Sequence, residues 1–436
     1  MNTIAYLREH FDQSQSARQE SGLGPIRKNA FNTFNSRGIP TSKQEDWKYT
    51  RIGVLFNKEY QFPVNPLTSS LVANDLKSLR LPGHERANEL VFVNGMFSFS
   101  LSVIRSSQLI VLSLEEAASG EYKSIVSKHL GHSSHYQKDG INALNMAFAD
   151  GGVFIHVKKD QVTDHPVYIY HVSDTREGTV FCQPRSLVHI SENAGLQLVE
   201  TFVTLGPQES FANQVLEIVV ENDARLEYYK IQNDSARASL ISTSHIRQIG
   251  KSHTYAVVIS LSGDIVRNNL NIVFDAEYCE SHLYGLYCLK GQTHIDNHTV
   301  VDNVQPHCFS NELYKGIMDE QATGVFNGKI FVRKDAQKTN AYQSNKNILL
   351  SENASVNTKP QLEIFADDVK CSHGCTVGSL DEEALFYLRS RGLNKENARS
   401  LLLRAFAIDI LEKIRLEPIR SYAEKLISER LEIETA

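Results

Sequence analysis

Residues 192–231 read ENAGLQLVETFVTLGPQESFANQVLEIVVENDARLEYYKI, and the fold turns on how this stretch is read. Three runs stand out: LQLVETFV (196–203), VLEIVV (215–220) and LEYYKI (226–231). They are rich in β-branched and aromatic residues, the composition of strands. Two small polar turns frame them, Glu192-Asn193-Ala194 and Asn222-Asp223-Ala224, with Asn193 and Asp223 30 residues apart. The turn recurs as Asp275-Ala276, 52 residues beyond Asp223, and again as Glu352-Asn353-Ala354. One turn used repeatedly, at one coil and then two, is the mark of a β-solenoid with variable loops. The rival architecture is a β-sandwich, whose hairpins call for more tight two-residue turns than this region contains.

The same texture extends outward from about residue 150 to 370. GVFIHV (152–157), PVYIYHV (166–172), SLVHI (186–190), TYAVVIS (254–260), NLNIVF (269–274), SHLYGLYCL (281–289), GKIFV (328–332) and PQLEIF (360–365) are further strands. Before them, LVFVNGMFSFSL (90–101) is a hairpin turning at Asn94-Gly95. Ile4, Leu7, Phe11 and Ala17 fall at helical spacing. In GIPTSKQEDWKYT (38–50), Thr41 or Ser42 is a cap for a short helix bearing the only tryptophan, Trp47, as a packing anchor. A shorter helical passage runs from Glu115 through Lys128. Past residue 376 the pattern turns helical. Ser379 is the expected N-cap of a capping box with Glu382, Gly392 ends the first helix, Asn394 caps the second, and Pro418 precedes the third. Ala398, Leu401, Leu402, Ala405, Phe406, Ile408 and Ile410 wrap more than one face of the second helix. That surplus either docks a partner or packs on the solenoid end. The resulting division is a helical and mixed N-terminal domain (1–140), a β-helix core (141–376) and a C-terminal helical domain (377–436).

Composition narrows the function classes. The chain has 436 residues, 41% of them hydrophobic and 22% charged, enough to bury a sizeable core. A formal net charge of −6, with basic residues scattered, argues against a nucleic-acid binder. No apolar stretch approaches the roughly 18 residues of a membrane span. The N-terminus, MNTIAYLREHFDQSQ, lacks a basic and then apolar leader and carries Glu9 and Asp12, so the expected compartment is the cytoplasm. The six cysteines are then expected as thiols, and no CxxC pair suggests a zinc ribbon.

The densest chemistry is Lys370-Cys371-Ser372-His373-Gly374-Cys375. If extended, it turns Cys371, His373 and Cys375 to one face, a set suited to a soft metal or an iron–sulfur cluster. Gly374 is a point where the strand could break, and Asp367-Asp368 adds possible oxygen ligands. The bland alternative is two buried thiols and a hydrogen-bonded imidazole. A complete site usually needs four ligands, so a partner chain has to supply the rest. A looser group, His282, His294, His298 and His307 with Cys288 and Cys308, fits no zinc-finger spacing. Gly250-Lys251-Ser252 resembles the end of a P-loop, but His245 stands where the first glycine belongs and strand follows. ATP hydrolysis by this chain is not expected. No GxSxG is present, and carboxylate pairs leave a β-helical polysaccharide lyase or hydrolase as a rival reading.

GIPTSKQEDWKYT (38–50), NALNMAFADGGVFIHV (142–157) and KPQLEIFADDVKCSHGCTVGSLDEEALFYLRSRGL (359–393) resemble the SufB/SufD family of iron–sulfur cluster assembly scaffolds. Cys371 to Gly374 and the TSKQEDWKYT block are closer to its SufD branch than to its SufB branch. The resemblance implies a right-handed parallel β-helix flanked by N- and C-terminal helical domains. It implies a non-catalytic subunit that pairs with SufB through the β-helix and docks the SufC ATPase through its C-terminal helices. A nascent cluster, transient rather than permanently bound, would be shared with SufB at Cys371 and His373; Cys375 is added by strand periodicity alone. A homodimer in the absence of SufB, a SufB-like cluster-bearing scaffold, and a flavin on the complex all stay open.

Overall fold

A column of aliphatic side chains explains how the repeats stack. Ile155, Val188, Ile218, Ile246, Ile272, Val301, Ile330 and Leu362 are Cα partners in successive parallel strands. All but the last are at most 1% exposed. Burying one such side chain contributes about 1.5–3 kcal/mol, and each is buried only because a coil lies above and below it. The computed structural model describes residues 3–19, 22–58, 60 and 71–431, and within it this column is the spine of a parallel β-solenoid.

Each coil places one strand in each of two ten-stranded sheets. In one sheet, successive strands begin at Gly195, Arg225, His253, Glu280, Phe309, Asn340 and Lys370, so coils are 27 to 31 residues long. The second sheet faces it across a lumen filled by the apolar core. Parallel pairing throughout the coils excludes the sandwich.

The repeated turns do structural work. Asn193 and Asp223 adopt left-handed φ of 56° and 54°, a conformation that asparagine and aspartate tolerate. Their N–H groups donate to the carbonyls of Asn222 and Lys251 in the next coil. Tyr278, His307 and Lys338 continue this ladder, and Lys251 belongs to it as a turn residue, not as part of a phosphate loop. Glu352-Asn353-Ala354, expected as the same turn, does not belong to this ladder: it lies on the opposite edge of the coil, where the first sheet passes to the second. Just before six of these first-sheet strands stands a small residue: Ala194, Ala224, Ser252, Cys279, Cys308 and Thr339. Cys279 and Cys308 are thus corner fillers. Their thiols donate to backbone carbonyls of Gly250, Ala276 and Pro306.

One end of the solenoid is closed. The hairpin Asn88–Val93/Met96–Val103 turns at Asn94-Gly95 as expected, both residues having positive φ. Its first strand joins the first sheet beside Val167–Asp174, and Leu109–Ser113 pairs antiparallel at the end of the second. The N-terminal helices Thr3–Gln19 and Gly24–Arg37, with Gly140–Ala147, pack on the outer face of the second sheet against Phe181, Phe211 and Ile241. A side chain at Gly140 would meet the carbonyl of Gly38 at 1.9 Å, so this contact requires glycine. Of the residues read as the first helical stripe, Leu7 and Phe11 are buried there, while the side chain of Ala17 lies outside the described residues.

Trp47 is the anchor expected of it: 2% exposed, its Nε1 donating to Asp139 Oδ2 at 3.0 Å, with the Arg267 guanidinium 3.9 Å above the ring. The expected side-chain cap from Thr41 or Ser42 does not form. The helix is a single 3-10 turn, Glu45–Trp47, whose N-cap residue Gln44 makes no capping bond; its side chain accepts from Thr41 N instead.

The C-terminal helices Glu382–Ser390, Lys395–Leu411 and Glu417–Arg430 follow the last strand. Asn394 caps as expected, accepting from Asn397 N at 2.7 Å, and Gly392 is left-handed at 97°. Ser379 does not cap. Asp381 does, accepting from Glu383 N and Ala384 N, because the helix begins two residues later than the S-x-x-E pattern suggests. Most of the surplus apolar surface is internal. Leu403, Ala407, Ile410, Ile419, Ala423 and Ile427 cover the outer face of the first sheet, over Tyr229, Tyr255, Tyr284 and Cys288. The helices therefore lie along the solenoid flank, not at its end. Lys315, 3% exposed, reaches from the sheet to Asp409 and to the carbonyl of Phe406, fixing the second helix.

Candidate functional site

The segment KCSHGCTVG forms the strand Lys370–Gly378, the last rung of the first sheet. Gly374 does not break it: Ser344 pairs with Gly374 and the register holds to Gly378. Cys371, His373 and Cys375 sit over Ala341, Gln343 and Asn345, which are buried lumen residues. The period-two reading is therefore correct in both face and register. All three residues look into the open end of the lumen. Cys371 packs half-buried against the core, and burial raises its thiol pKa. His373 and Cys375 are exposed.

Residues two apart on a strand have Cα atoms roughly 6.8 Å apart. One ion cannot take all three side chains without distortion. Consistently, no group of three or more His, Cys, Asp or Glu among the described residues is arranged to hold a metal ion. The chain presents ligands in a row, along an edge. Asp367-Asp368 does not join them: Asp368 lies in the preceding turn, paired with Lys338.

That edge is uncapped. Among the described residues, no strand pairs with the outer side of Lys370–Gly378 or of Ser355–Ile364, which end their sheets. Ile364, Phe365 and Val377 are 40%, 60% and 47% exposed there. Beyond Lys370 the terminal strand carries no lysine, proline or carboxylate, the usual defences of an edge.

Beneath the row lies a polar layer that the sequence reading missed. Glu312, 2% exposed, receives Gln343 Nε2 at 2.7 Å, and burial pushes its carboxyl up to about 7. Tyr287 donates to Asn347 Oδ1, and Asn345 Nδ2 donates to the Tyr287 hydroxyl at 3.1 Å. The available signal was polar residues at inward positions of strands whose alternation is otherwise apolar. By contrast, the His282 group is dispersed. His282 stacks among Tyr255 and Tyr284 on the first sheet, Cys288 lies under the C-terminal helices, and His298 pairs with Asp296 on the second sheet. His307 and Cys308 belong to a turn.

A second exposed feature is on the C-terminal helices. Phe386, Tyr387 and Leu401 are 73%, 56% and 48% exposed. Of these, Leu401 belongs to the apolar positions read from the sequence of the second C-terminal helix.

Family comparison fits this geometry. Residues 171–406 match the model described as SUF system FeS cluster assembly, SufBD core domain, and residues 2–169 match the SufBD protein N-terminal region. The chain belongs to the SufB/SufD family. It is 32% identical over 424 residues to the iron–sulfur cluster assembly SufBD family protein slr0076 of Synechocystis, covering 95% of this chain and 92% of that one. It is 29% identical to the iron–sulfur cluster assembly protein SufD of Escherichia coli, over 90% of each chain. Protein ABCI7, chloroplastic, of Arabidopsis thaliana is 28% identical over 96% of this chain and 89% of its own length. The chain is thus an iron–sulfur cluster assembly protein of the SufBD family. No helix among the described residues is long and apolar enough to cross a membrane.

Proposed function

We propose that this SufBD protein is a non-catalytic scaffold subunit whose open coil pairs with SufB, with the growing cluster as shared cargo at the seam. The observation that supports it most is the uncapped terminal coil with its inward row of Cys371, His373 and Cys375. A repeat array needs caps at both ends to stay soluble, so an end without one calls for a covering chain. Strand addition would cover it and bring in the missing ligands. Cys371 and His373 would contact the nascent cluster, with Cys375 as a further thiol. Iron must displace the Cys371 proton, which burial holds on the sulfur at neutral pH. Phe386, Tyr387 and Leu401 would receive the SufC ATPase, whose movements would reach the seam through the helices packed on the first sheet. The complex would act in the cytoplasm and keep no permanent cofactor.

Backbone polarity supplies the test. Lys370 N donates inward to Thr339 O at 2.9 Å. By alternation along a parallel strand, residues 372, 374 and 376 also donate inward, while 371, 373, 375 and 377 point their N–H groups outward. Val377→Pro removes one outward donor without touching the inner ladder. Capture by SufB is expected to weaken at least tenfold while SufC capture and melting stay unchanged. Unaltered SufB capture would sink the strand-addition seam. In the same assay, Phe386→Asp with Tyr387→Asp should abolish SufC retention and spare SufB. Retention of SufC would move the ATPase dock elsewhere. Reconstituted cluster build-up with Cys371→Ser and His373→Ala together should be lost, and unchanged build-up would remove the ligand role.

A further inference from the structure

The layer below the terminal strand holds an amide with one side unused. Gln343 is 3% exposed, its Nε2 donates to Glu312 Oε2, and its Oε1 has no hydrogen-bond partner. Amide nitrogen and oxygen are told apart by the network around them. An ionised carboxylate only accepts, so against Glu312 in that form the nitrogen belongs on the carboxylate and the oxygen faces away. Gly328 fixes the amide from across the lumen: a Cβ there would lie 2.3 Å from Gln343 Nε2. The amide occupies the space that a side chain at 328 would fill. A buried acceptor left unpaired costs about 1–3 kcal/mol, so this oxygen favours any donor that reaches it.

The next rung on the same face is His373. A neutral imidazole has one N–H and one lone pair, and whichever nitrogen hydrogen-bonds decides which is left to ligate. We infer that Gln343, oriented by Glu312, is a positioning residue for His373: its Oε1 accepts the imidazole N–H once SufB covers the coil, leaving the other ring nitrogen for iron. The inference rests on the reading of His373 as a cluster contact. Outer-shell partners of this kind typically change metal affinity or activity by about 10–100-fold.

The test uses the full chain with ring-15N histidine in complex with unlabelled SufB, at pH 8, with the His373 signals assigned by their loss in His373→Ala. One tautomer should dominate by about tenfold or more in the native chain. Gln343→Met should bring the two tautomers toward equality, and Glu312→Gln, which allows the amide to turn, should do so in part. The exchange Glu312→Gln with Gln343→Glu restores an acceptor under His373 and should restore the single tautomer, which lost packing alone would not do. Cluster build-up on the same samples should fall about tenfold in Gln343→Met and recover in the exchange variant. An unchanged tautomer ratio in both Gln343→Met and Glu312→Gln would overturn the positioning role, even if His373→Ala abolished build-up. If His373→Ala left build-up intact, the cluster-contact reading itself would fall, and this inference with it. Should Gln343→Met fail to fold, the milder Glu312→Gln and the exchange pair carry the comparison.

Discussion

Lowering the pH from 7.5 toward 5 is expected to cost this protein several kcal/mol of stability. Five histidines lie where the N-terminal segment meets the second sheet. His156 Nδ1 and His189 Nδ1 are 3.2 Å apart, His132 Nδ1 is 2.8 Å from His245 Nε2, and the rings of His129 and His189 are 5.8 Å apart. Burial lowers His129, His132, His156 and His189 to about 4 and His245 to about 3. Neighbouring charge adds to the shift for several of them: His189 acts on His129 and His156, and Arg247 on His132. In the unfolded chain each returns to about 6.5. Between these values the unfolded chain binds more protons than the folded one, so stability is full above about 6.5 and falls as pH drops toward 4. Each group contributes up to about 1.4 kcal/mol per pH unit in that window, and the groups are coupled, so the total is less than five times this. Urea titrations at pH 7.5, 6 and 5 should show the midpoint falling steadily. A flat midpoint would mean that these histidines are not buried neutral.

The second large effect is expected a few ångströms away. Glu217 is 1% exposed and its Oε2 is 2.6 Å from Arg185 Nη2, itself 1% exposed. Its two oxygens also accept from Gly131 N at 2.9 Å and Ser133 N at 2.8 Å, while Arg185 Nη1 donates to Asn145 Oδ1 at 2.8 Å. Burial works to raise the carboxyl pKa, and the Arg185 charge with the two N–H groups outweighs it, leaving the group ionised. This is the rivet between the N-terminal segment and the solenoid. Glu217→Ala strands a buried guanidinium and two buried N–H groups, so a loss of about 3–5 kcal/mol is expected. Glu217→Gln keeps an acceptor but not the charge and should cost less. Denaturant unfolding measures both, and an alanine variant within about 1 kcal/mol of the native protein would show that the rivet carries no net stability.

Both effects sit at a joint that the chain does not announce. His129, His132, His156, His189 and His245 are scattered over more than a hundred residues, and only the stacking of coils sets them side by side. The same holds for Arg185 and Glu217, which lie on neighbouring strands one coil apart.

What the sequence determined by itself was whatever depends on local periodicity. Runs rich in β-branched and aromatic residues at 196–203 and 215–220 mark strands because such side chains fit a pleated, packed surface. Asn193 and Asp223 mark turns because they tolerate a left-handed backbone, and Asn94-Gly95 marks a hairpin for the same reason. The facing of Cys371, His373 and Cys375 also followed from a period of two, and Gly374 left it intact because the coil below supplies the ladder. Tertiary structure decided the rest. Asp381 displaced Ser379 as the cap because the terminal strand runs to Gly378 before the chain turns into helix. The apolar surplus of the C-terminal helices proved internal because the outer face of the first sheet is itself apolar, with Tyr229, Tyr255 and Tyr284 needing cover. Glu312 and Gln343 gained their meaning from register, which pairs residues about thirty positions apart and leaves no trace in either strand alone.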